Sequence, residues 1–421
     1  MPSAIDPPLL RNSNFRWLLG GGLVSMLGDQ FSMLALPWLV LSLTGDSLSL
    51  GIAVALMGAP RAVLILLGGT VADHYSPRRV LLLSKYANAA ILLALAGLLM
   101  LDQASLALAY AAALALGIAS AFAIPAGTAI LPQAVPPQAL QNANGLQMAA
   151  RQLSLLAGPL LAALVLGTHA GGQKTPMVAL AAAFAIDALT FLFSAWTLRQ
   201  VTLRPLAVAA AQGMWQDMAA GLAVVWRDVA LRSCYVYWAV VAFFVMGPLQ
   251  VALPVLASER LHGAAALGLL MGAHGAGTLA GMLASSLGGA WLRQRFGATL
   301  LLVDAIVGCL LMALGQIETA WQGAALLAVT GLLGGYVQVA IFTWIQRRVA
   351  PAMLGRAMAV FMGIFLGLAP LSAAATGALL RHLSVGELFC AGGALLLAAA
   401  VAAALWSDIA RIAGSPSVSS P

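Results

Sequence analysis

Long runs of apolar residues, separated by short polar or Pro/Gly-containing segments, dominate the sequence. Most runs exceed twenty residues, and none shows the alternation of apolar and polar positions that marks a half-buried strand. Their Ala- and Leu-rich composition favours helix. The pattern predicts twelve spanning segments, at residues 16–41, 49–72, 79–100, 105–127, 142–167, 177–198, 233–257, 264–290, 298–316, 323–345, 357–380 and 385–407. Because a bilayer offers backbone groups no hydrogen-bond partners, we expect an all-α integral membrane protein of about twelve transmembrane helices.

Composition supports the same class. Of the 421 residues, 62% are hydrophobic and only 8% are charged, whereas soluble domains carry about 25% charged residues. This excludes a soluble enzyme, a disordered protein and a nucleic-acid binder. The spans contain no compact set of catalytic side chains, and no Walker A signature is present. We therefore expect a protein that is not an enzyme, that has no catalytic or metal-binding residues and that does not use ATP directly.

The distribution of positive charge predicts the orientation, since Lys and Arg are retained in cytoplasmic loops. With the N-terminus inside, fifteen of the twenty basic residues fall on the cytoplasmic side. Three fall outside and two, Arg61 and Arg151, lie within spans. We expect both termini in the cytoplasm and a multi-pass protein of the bacterial cytoplasmic (inner) membrane. The net charge of +7 is then a matter of topology and does not indicate a nucleic-acid partner.

The longest connection divides the chain into two sets of six spans. The sequence predicts an N-terminal bundle at 1–198, a linker at 199–232 with an amphipathic helix on the cytoplasmic face, and a C-terminal bundle with a short tail at 233–421. Two short segments recur at corresponding places in the halves: residues 68–79 resemble 288–295, and 135–143 resemble 349–357. Such internal duplication is typical of transporters built around a site near the membrane midplane.

The segment between spans two and three resembles the cytoplasmic loop signature of the major facilitator superfamily. Its matching positions are Gly69, Val71, Ala72, Asp73, Arg78 and Arg79. Further segments, at residues 28–29, 125–127, 142–146, 158–159, 221–232 and 355–356, resemble the branch that holds macrolide, multidrug and catecholate siderophore exporters. The resemblance implies two pseudo-symmetric six-helix bundles that work by alternating access.

The same resemblance implies roles for two motifs. Gly69, Asp73, Arg78 and Arg79 would form a conformational latch with the start of span eleven near Arg356. The alternative is that these residues only set the topology. Gly158 and Pro159 resemble an antiporter bend in span five, where small residues permit close packing and proline permits a kink. This second motif favours export over import.

Charged side chains inside a membrane are costly and are functional candidates by default. The spans contain Asp29, Arg61, Arg151, Asp187, His274 and Asp304. Depth along each helix, at ~1.5 Å per residue, would allow Asp29 to meet Arg61 and Arg151 to meet Asp187. We interpret Asp29 as a protonatable coupling group, with a static Asp29–Arg61 pair as the alternative.

The other intramembrane groups are interpreted as structural. Arg151 and Asp187 would pair, His274 would be a hydrogen-bonded packing residue, and Asp304 would be anchored by interfacial arginines. By resemblance, spans one, four, seven and ten would line a substrate cavity. Its candidate residues are Asp29, Gln30, Arg61, Trp238, Phe243, Gln250, Tyr336 and Gln338. Aromatic side chains with isolated amides suit amphiphilic molecules better than sugars.

Together these features predict a secondary active transporter that exports amphiphilic or drug-like small molecules, by proton antiport. Alternatives within transport are a lysophospholipid flippase or an importer of a metabolite or siderophore. A non-transport membrane protein is a more remote alternative. We expect no cofactor beyond a proton gradient. The expected partners are a small amphiphilic substrate and membrane lipid, with no nucleic acid, no metal and a monomeric state.

Overall fold

The computed structural model describes residues 9–167, 176–203, 214–261, 263–287 and 295–412. Within these ranges the ordered elements are helices, and twelve of them are long and apolar enough to cross a membrane. The fold class predicted from the sequence is therefore confirmed. The description excludes the side chains at 66–70, 72–74, 214–218, 286–287 and 351–352. It also excludes Lys174, Arg204 and residues 288–294 as a whole.

Six long helices form the first part of the chain. They are α1 (Ser13–Thr44), α2 (Ser47–His74), α3 (Pro77–Met100), α4 (Leu106–Ala134), α5 (Leu140–Gly167) and α6 (Met177–Arg199). Short 3-10 turns at Leu9–Arg11 and Pro137–Ala139 precede α1 and α5. Helix α4 is longer than the predicted span, which ended at residue 127. It continues through Pro125 and Pro132, because membrane helices tolerate proline where neighbouring groups satisfy the freed carbonyls.

The linker and second part contain eight further helical segments. They are α7 (Met214–Arg227), α8 (Val229–Gly247), α9 (Leu253–Glu259), α10 (Ala264–Leu287), α11 (Phe296–Leu314), α12 (Ala320–Arg348), α13 (Pro351–Leu379) and α14 (Val385–Trp406). A five-residue π-helical turn, Pro248–Ala252, joins α8 to α9 within one span. A final 3-10 turn covers Asp408–Arg411.

Local sequence explains where several helices begin and end. Asn12 accepts a hydrogen bond from the Phe15 N–H at 3.2 Å and caps the start of α1. Gly45 ends that helix with φ of +62°, a conformation that only glycine adopts without strain. Thr319 and Gln322 form a reciprocal capping box at the start of α12, satisfying backbone donors that the helix leaves unpaired.

Internal contacts divide the chain into two compact units. The first contains Met1–Gly45, Leu56–Ala210 and Gly263–Gly268, and the second contains Asp46–Ala55, Ala211–His262 and Leu269–Pro421. In the first unit α6 packs against α1 and α3, and α5 packs against α1. In the second, α11 packs against α14, and α13 packs against α7 and α8.

The start of α2 belongs to the second unit through a close helix approach. A Cβ at Gly51 would lie 2.7 Å from the Ala373 carbonyl oxygen and 3.1 Å from the Gly377 Cα. The Ser47 hydroxyl also donates to the Gly377 carbonyl at 3.2 Å. Glycine on both helices lets the two backbones meet, as small residues commonly do in membrane helix pairs.

Candidate functional site

Asp29 belongs to a cluster of charged side chains in the first unit. It is carried by α1 and interacts electrostatically with Lys85 on α3 and Arg61 on α2. The Arg61 guanidinium donates from Nη2 to the Ser120 hydroxyl at 3.2 Å, and its Nε is buried without a hydrogen-bond partner. The structure thus brings Asp29 and Arg61 into one cluster, whose third member is a lysine.

Asp187 on α6 is the second carboxyl group of this cluster. Only 1% of Asp187 is exposed. Its carboxylate accepts hydrogen bonds from the Ser32 hydroxyl and, at 3.3 Å, from the Thr190 hydroxyl. It also interacts with Lys85 and with Asp29. Two carboxyl groups and two basic groups therefore share one region, in which Asp187 is buried and the other three are half-buried.

The predicted partner of Asp187, Arg151, does not join the cluster. Arg151 is exposed on α5, and no Arg151–Asp187 ion pair forms among the residues that the structure describes. Both residues lie within the helices that the sequence predicts for them. Depth along a helix does not fix the direction in which a side chain points, however, and successive residues differ by about 100°.

Lys85 is one of the fifteen basic residues that the sequence predicts on the cytoplasmic side, yet it joins the cluster of Asp29. It lies eight residues into α3, which places it ~12 Å along the helix from the start. Its Nζ is 3.5 Å from the Ser25 hydroxyl and 5.7 Å from the centroid of the Phe191 ring. The sequence did contain a signal, because Asn88 follows Lys85 one turn further along the same face. In the structure Asn88 is 3% exposed. Two polar residues at i and i+3 in an apolar helix indicate a face turned inward.

Gln30 points away from Asp29 and toward α5. Its side chain is buried and occupies the space over Gly158, where a Cβ would collide with it. The residues of the predicted antiporter bend, Gly158 and Pro159, are themselves buried in α5. The role of Gly158 visible in the structure is thus to let α1 and α5 approach at Gln30.

Trp238 lies in the core of the second unit. It is 2% exposed and packs edge-on against Phe361 and Trp344, with ring centroids 5.3 Å and 6.1 Å away. Trp344 in turn stacks on Phe296 at 5.1 Å. Trp238 therefore belongs to an aromatic core, which differs from the cavity-lining position expected from the sequence. Edge-to-face and offset contacts of this kind stabilise aromatic cores.

The other candidate cavity residues differ in exposure. Phe243 is half-buried and makes an edge contact with Phe244 at 5.6 Å. Gln250 lies on the π-helical turn between α8 and α9, also half-buried. π-Helical turns are often found at functional sites. On α12, Tyr336 is half-buried and Gln338 is exposed.

The predicted latch is described only in part. The surroundings of Gly69 and the side chain of Asp73 lie outside the described part of the chain. The Arg78 guanidinium donates to the Arg199 carbonyl at 2.5 Å, which ties the start of α3 to the end of α6, and Arg79 is exposed. The backbone carbonyl of Arg356 lies against Gly221 of α7.

Two further intramembrane groups lie in the second unit. The His274 Nδ1 is 3.4 Å from the Leu327 carbonyl, and the backbone of His274 packs against Gly331, consistent with a packing role. Asp304 is 7% exposed and faces the Tyr237 hydroxyl. No arginine forms an ion pair with Asp304 in the described part of the chain, so the expected anchoring by interfacial arginines is not observed.

Comparison with known proteins gives matches among membrane transporters. The profile of the Major Facilitator Superfamily matches residues 18–374. The chain is 27% identical to the multidrug efflux pump Tap of Mycobacterium tuberculosis (strain ATCC 25618 / H37Rv), over 88% of each chain. It is also 28% identical to the uncharacterized MFS-type transporter y4rN of Sinorhizobium fredii (strain NBRC 101917 / NGR234), over 65% of each chain, so this match spans slightly less than two thirds of that relative.

Solved structures show the same fold. A bacterial homologue of the iron transporter ferroportin, in an inward-facing state, superposes with a TM-score of 0.70 at 15% identity, covering 94% of this chain and 99% of that one. The nucleoside transporter NupG gives a TM-score of 0.67 at 14% identity, covering 92% and 97%. At these identities the similarity concerns the fold alone.

Proposed function

The chain belongs to the Major Facilitator Superfamily and is a multi-pass membrane transporter, and we propose that it exports amphiphilic, drug-like molecules in exchange for protons. The proposal includes a bacterial inner-membrane location with both termini in the cytoplasm, which the distribution of Lys and Arg supports. The name of a relative, the multidrug efflux pump Tap, supports efflux of drug-like molecules.

The observation that carries the proton-coupling proposal is the cluster of Asp29, Arg61, Lys85 and Asp187. Two carboxylates and two cations balance each other when all are ionised. Because Asp187 is buried and the other three groups are half-buried, the charges interact more strongly with one another than exposed charges do. Adding a proton to either carboxyl group leaves one cation without its counter-charge, which changes the relative stability of different arrangements of α1, α2, α3 and α6.

Asp29 is the better candidate for the group that exchanges protons. Asp187 is held by hydrogen bonds from the Ser32 and Thr190 hydroxyls, which its protonation would disturb. Asp29 has electrostatic partners in Lys85 and Arg61, but none of the hydrogen bonds described for the ordered residues fixes its carboxylate. Its protonation therefore breaks the fewest specific contacts.

The test compares Asp29→Asn with wild-type protein in liposomes. We expect Asp29→Asn to abolish accumulation of a cationic dye driven by a pH gradient, because the amide cannot exchange a proton. Exchange of dye against dye, with no pH gradient, is expected to remain because it needs no net proton transfer. Arg151→Gln is the matched control: it removes an intramembrane charge that lies outside the cluster and should preserve both activities.

Two results would contradict the proposal in different ways. Gradient-driven transport that survives Asp29→Asn would show that Asp29 is not the coupling group. Wild-type protein that moves none of a panel of cationic dyes, lysolipids and catecholates outward would contradict the export of amphiphiles.

A further inference from the structure

The second unit contains a buried pair of polar side chains that the Asp29 cluster does not explain. Asp304 on α11 and Tyr237 on α8 face each other and are 7% and 5% exposed. Neither Oδ2 of Asp304 nor the Tyr237 hydroxyl has a partner at hydrogen-bond geometry. Buried polar atoms are nearly always satisfied in native proteins, so unpartnered ones require an explanation.

The surroundings of Asp304 provide no positive charge among the described residues. Tyr237 is the titratable group that faces it from α8. On α12, Arg348 is engaged with Asp228, and Arg347 and Tyr336 line a separate cavity. In the C-terminal 3-10 turn, Asp408 and Arg411 pair with each other at the surface. Helix α14 carries Glu387 in its first turn, at the end of the bundle opposite the start of α11.

A carboxylate that is buried without a cation is much less stable than the neutral acid. We propose that Asp304 and Tyr237 form a second proton-binding site, in which Asp304 holds a proton and the Tyr237 hydroxyl is its hydrogen-bonding partner. When the acid gives up its proton, the Tyr237 hydroxyl can donate to the carboxylate that remains. The site stands on this geometry and does not depend on whether Asp29 couples transport.

The separate cavity lies about one helical turn from Asp304. The cavity has a volume of about 80 Å³ and is lined by Phe296, Thr299, Leu300, Trp344 and Arg347, among others. Leu300 lies one turn before Asp304 on α11, ~6 Å along the helix. The volume accommodates a few water molecules, and the hydroxyl and guanidinium groups in the lining supply partners for them.

The test measures protonation directly, by infrared difference spectroscopy of the full-length protein in detergent during a pH titration. We expect a carbonyl band of a protonated carboxylic acid that is lost in Asp304→Asn and that shifts in frequency in Tyr237→Phe. Asp46→Asn is the matched control, since Asp46 forms an ion pair with Arg381 outside the spans, and it should leave the band unchanged.

A second measurement guards against misfolding of the variants. Dicyclohexylcarbodiimide adds the O–H of a protonated carboxyl group across its C=N bond, and the adduct rearranges to a stable N-acylurea. Mass spectrometry of wild-type protein should find this adduct on Asp304, with less labelling at alkaline pH. Identical carbonyl bands in wild-type protein and folded Asp304→Asn, together with an unlabelled Asp304 in wild-type protein, would overturn the proposal.

Discussion

Arg381, after the end of α13, donates from Nε to Oδ1 of Asp46 at 3.1 Å, across 335 residues of sequence. Asp46 also caps α2 by accepting from the Ser49 N–H at 2.9 Å and from the Ser49 hydroxyl at 2.8 Å. One carboxylate thus caps the start of α2 and links it to the end of α13. Partial burial raises the pKa of Asp46, but the hydrogen bonds from Ser49 and Arg381 outweigh it and lower the pKa below the ordinary value of 3.8.

The two roles of Asp46 can be separated by substitution. Asp46→Asn keeps an acceptor for the Ser49 N–H but removes the charge, whereas Asp46→Ala removes both. The side chain of Arg381 is 55% exposed, so loss of the ion pair should cost less than about 1 kcal/mol. Loss of the cap should cost about 1 kcal/mol more. Thermal unfolding in detergent should give the lowest melting temperature for Asp46→Ala, an intermediate one for Asp46→Asn and the highest for wild type.

Acid pH provides the control for that prediction. Because the pKa of Asp46 is lower in the folded protein, its stabilising effect is present above its ordinary pKa and is lost as the pH falls through the lowered value. The difference between wild type and Asp46→Asn should therefore vanish at strongly acid pH. A difference that stays constant across the titration would show that the charge of Asp46 is not responsible.

A second prediction concerns the packing of α1 against α6. A methyl group at Gly28 would lie 2.7 Å from the Asp187 Oδ1 and 2.8 Å from the Thr190 Cβ. Gly28→Ala should therefore displace both side chains and destabilise the protein by about 2 kcal/mol. Gly22→Ala is the control on the same helix, because nothing lies within 4 Å of a Cβ there. It should be neutral or stabilising by about 0.5–1 kcal/mol. Equal melting temperatures for the two variants would contradict this packing.

A third prediction concerns Asp228, which lies between α7 and α8. Asp228 caps α8 by accepting from the Ala230 and Leu231 N–H groups at 2.9 Å and 3.1 Å. Arg348 donates to the same carboxylate from Nε at 2.7 Å and from Nη2 at 3.0 Å. Burial opposes these bonds, but together they lower the pKa of Asp228.

Arg348→Lys should weaken this junction although it keeps the charge, because an ammonium group cannot make the paired contact of a guanidinium. Asp228→Ala should weaken it further, since the cap is lost as well, by about 1 kcal/mol. Hydrogen exchange at the start of α8 would measure both effects, with faster exchange in Asp228→Ala than in Arg348→Lys. Unchanged exchange in Asp228→Ala would show that the cap does not stabilise the helix.

The helices could be predicted from the sequence because hydropathy and helix length are properties of each segment by itself. The predicted span 177–198 corresponds to α6 at Met177–Arg199, and 385–407 to α14 at Val385–Trp406. The exceptions depend on local backbone detail. The predicted span 105–127 stops short of the end of α4, which continues through Pro132 to Ala134, and the π-helical turn at Pro248–Ala252 has no hydropathy signature.

The candidate site could be predicted only in part, because side-chain direction depends on how helices rotate against each other. The depths of Asp29 and Arg61 were enough to suggest that they share a cluster. Lys85 is one of the fifteen basic residues counted on the cytoplasmic side, yet its ammonium group lies near Ser25 in the cluster. Arg151 was assigned to the interior because of its depth, yet it faces outward.

The last prediction tests the charge balance of the Asp29 cluster. Lys85 interacts with both Asp29 and Asp187, so Lys85→Met leaves two buried carboxylates with one basic group, Arg61. Removing one partner of a buried pair typically costs about 3–5 kcal/mol, and we expect Lys85→Met to express poorly and to melt early in detergent. The double variant Lys85→Met/Asp187→Asn restores the balance, with Asp29 facing Arg61, and should recover most of the lost stability. Lys85→Met/Asp46→Asn is the matched control: it removes a carboxylate outside the cluster and should rescue nothing. Equal recovery in both double variants would show that net charge, rather than this cluster, determines the stability of the first unit.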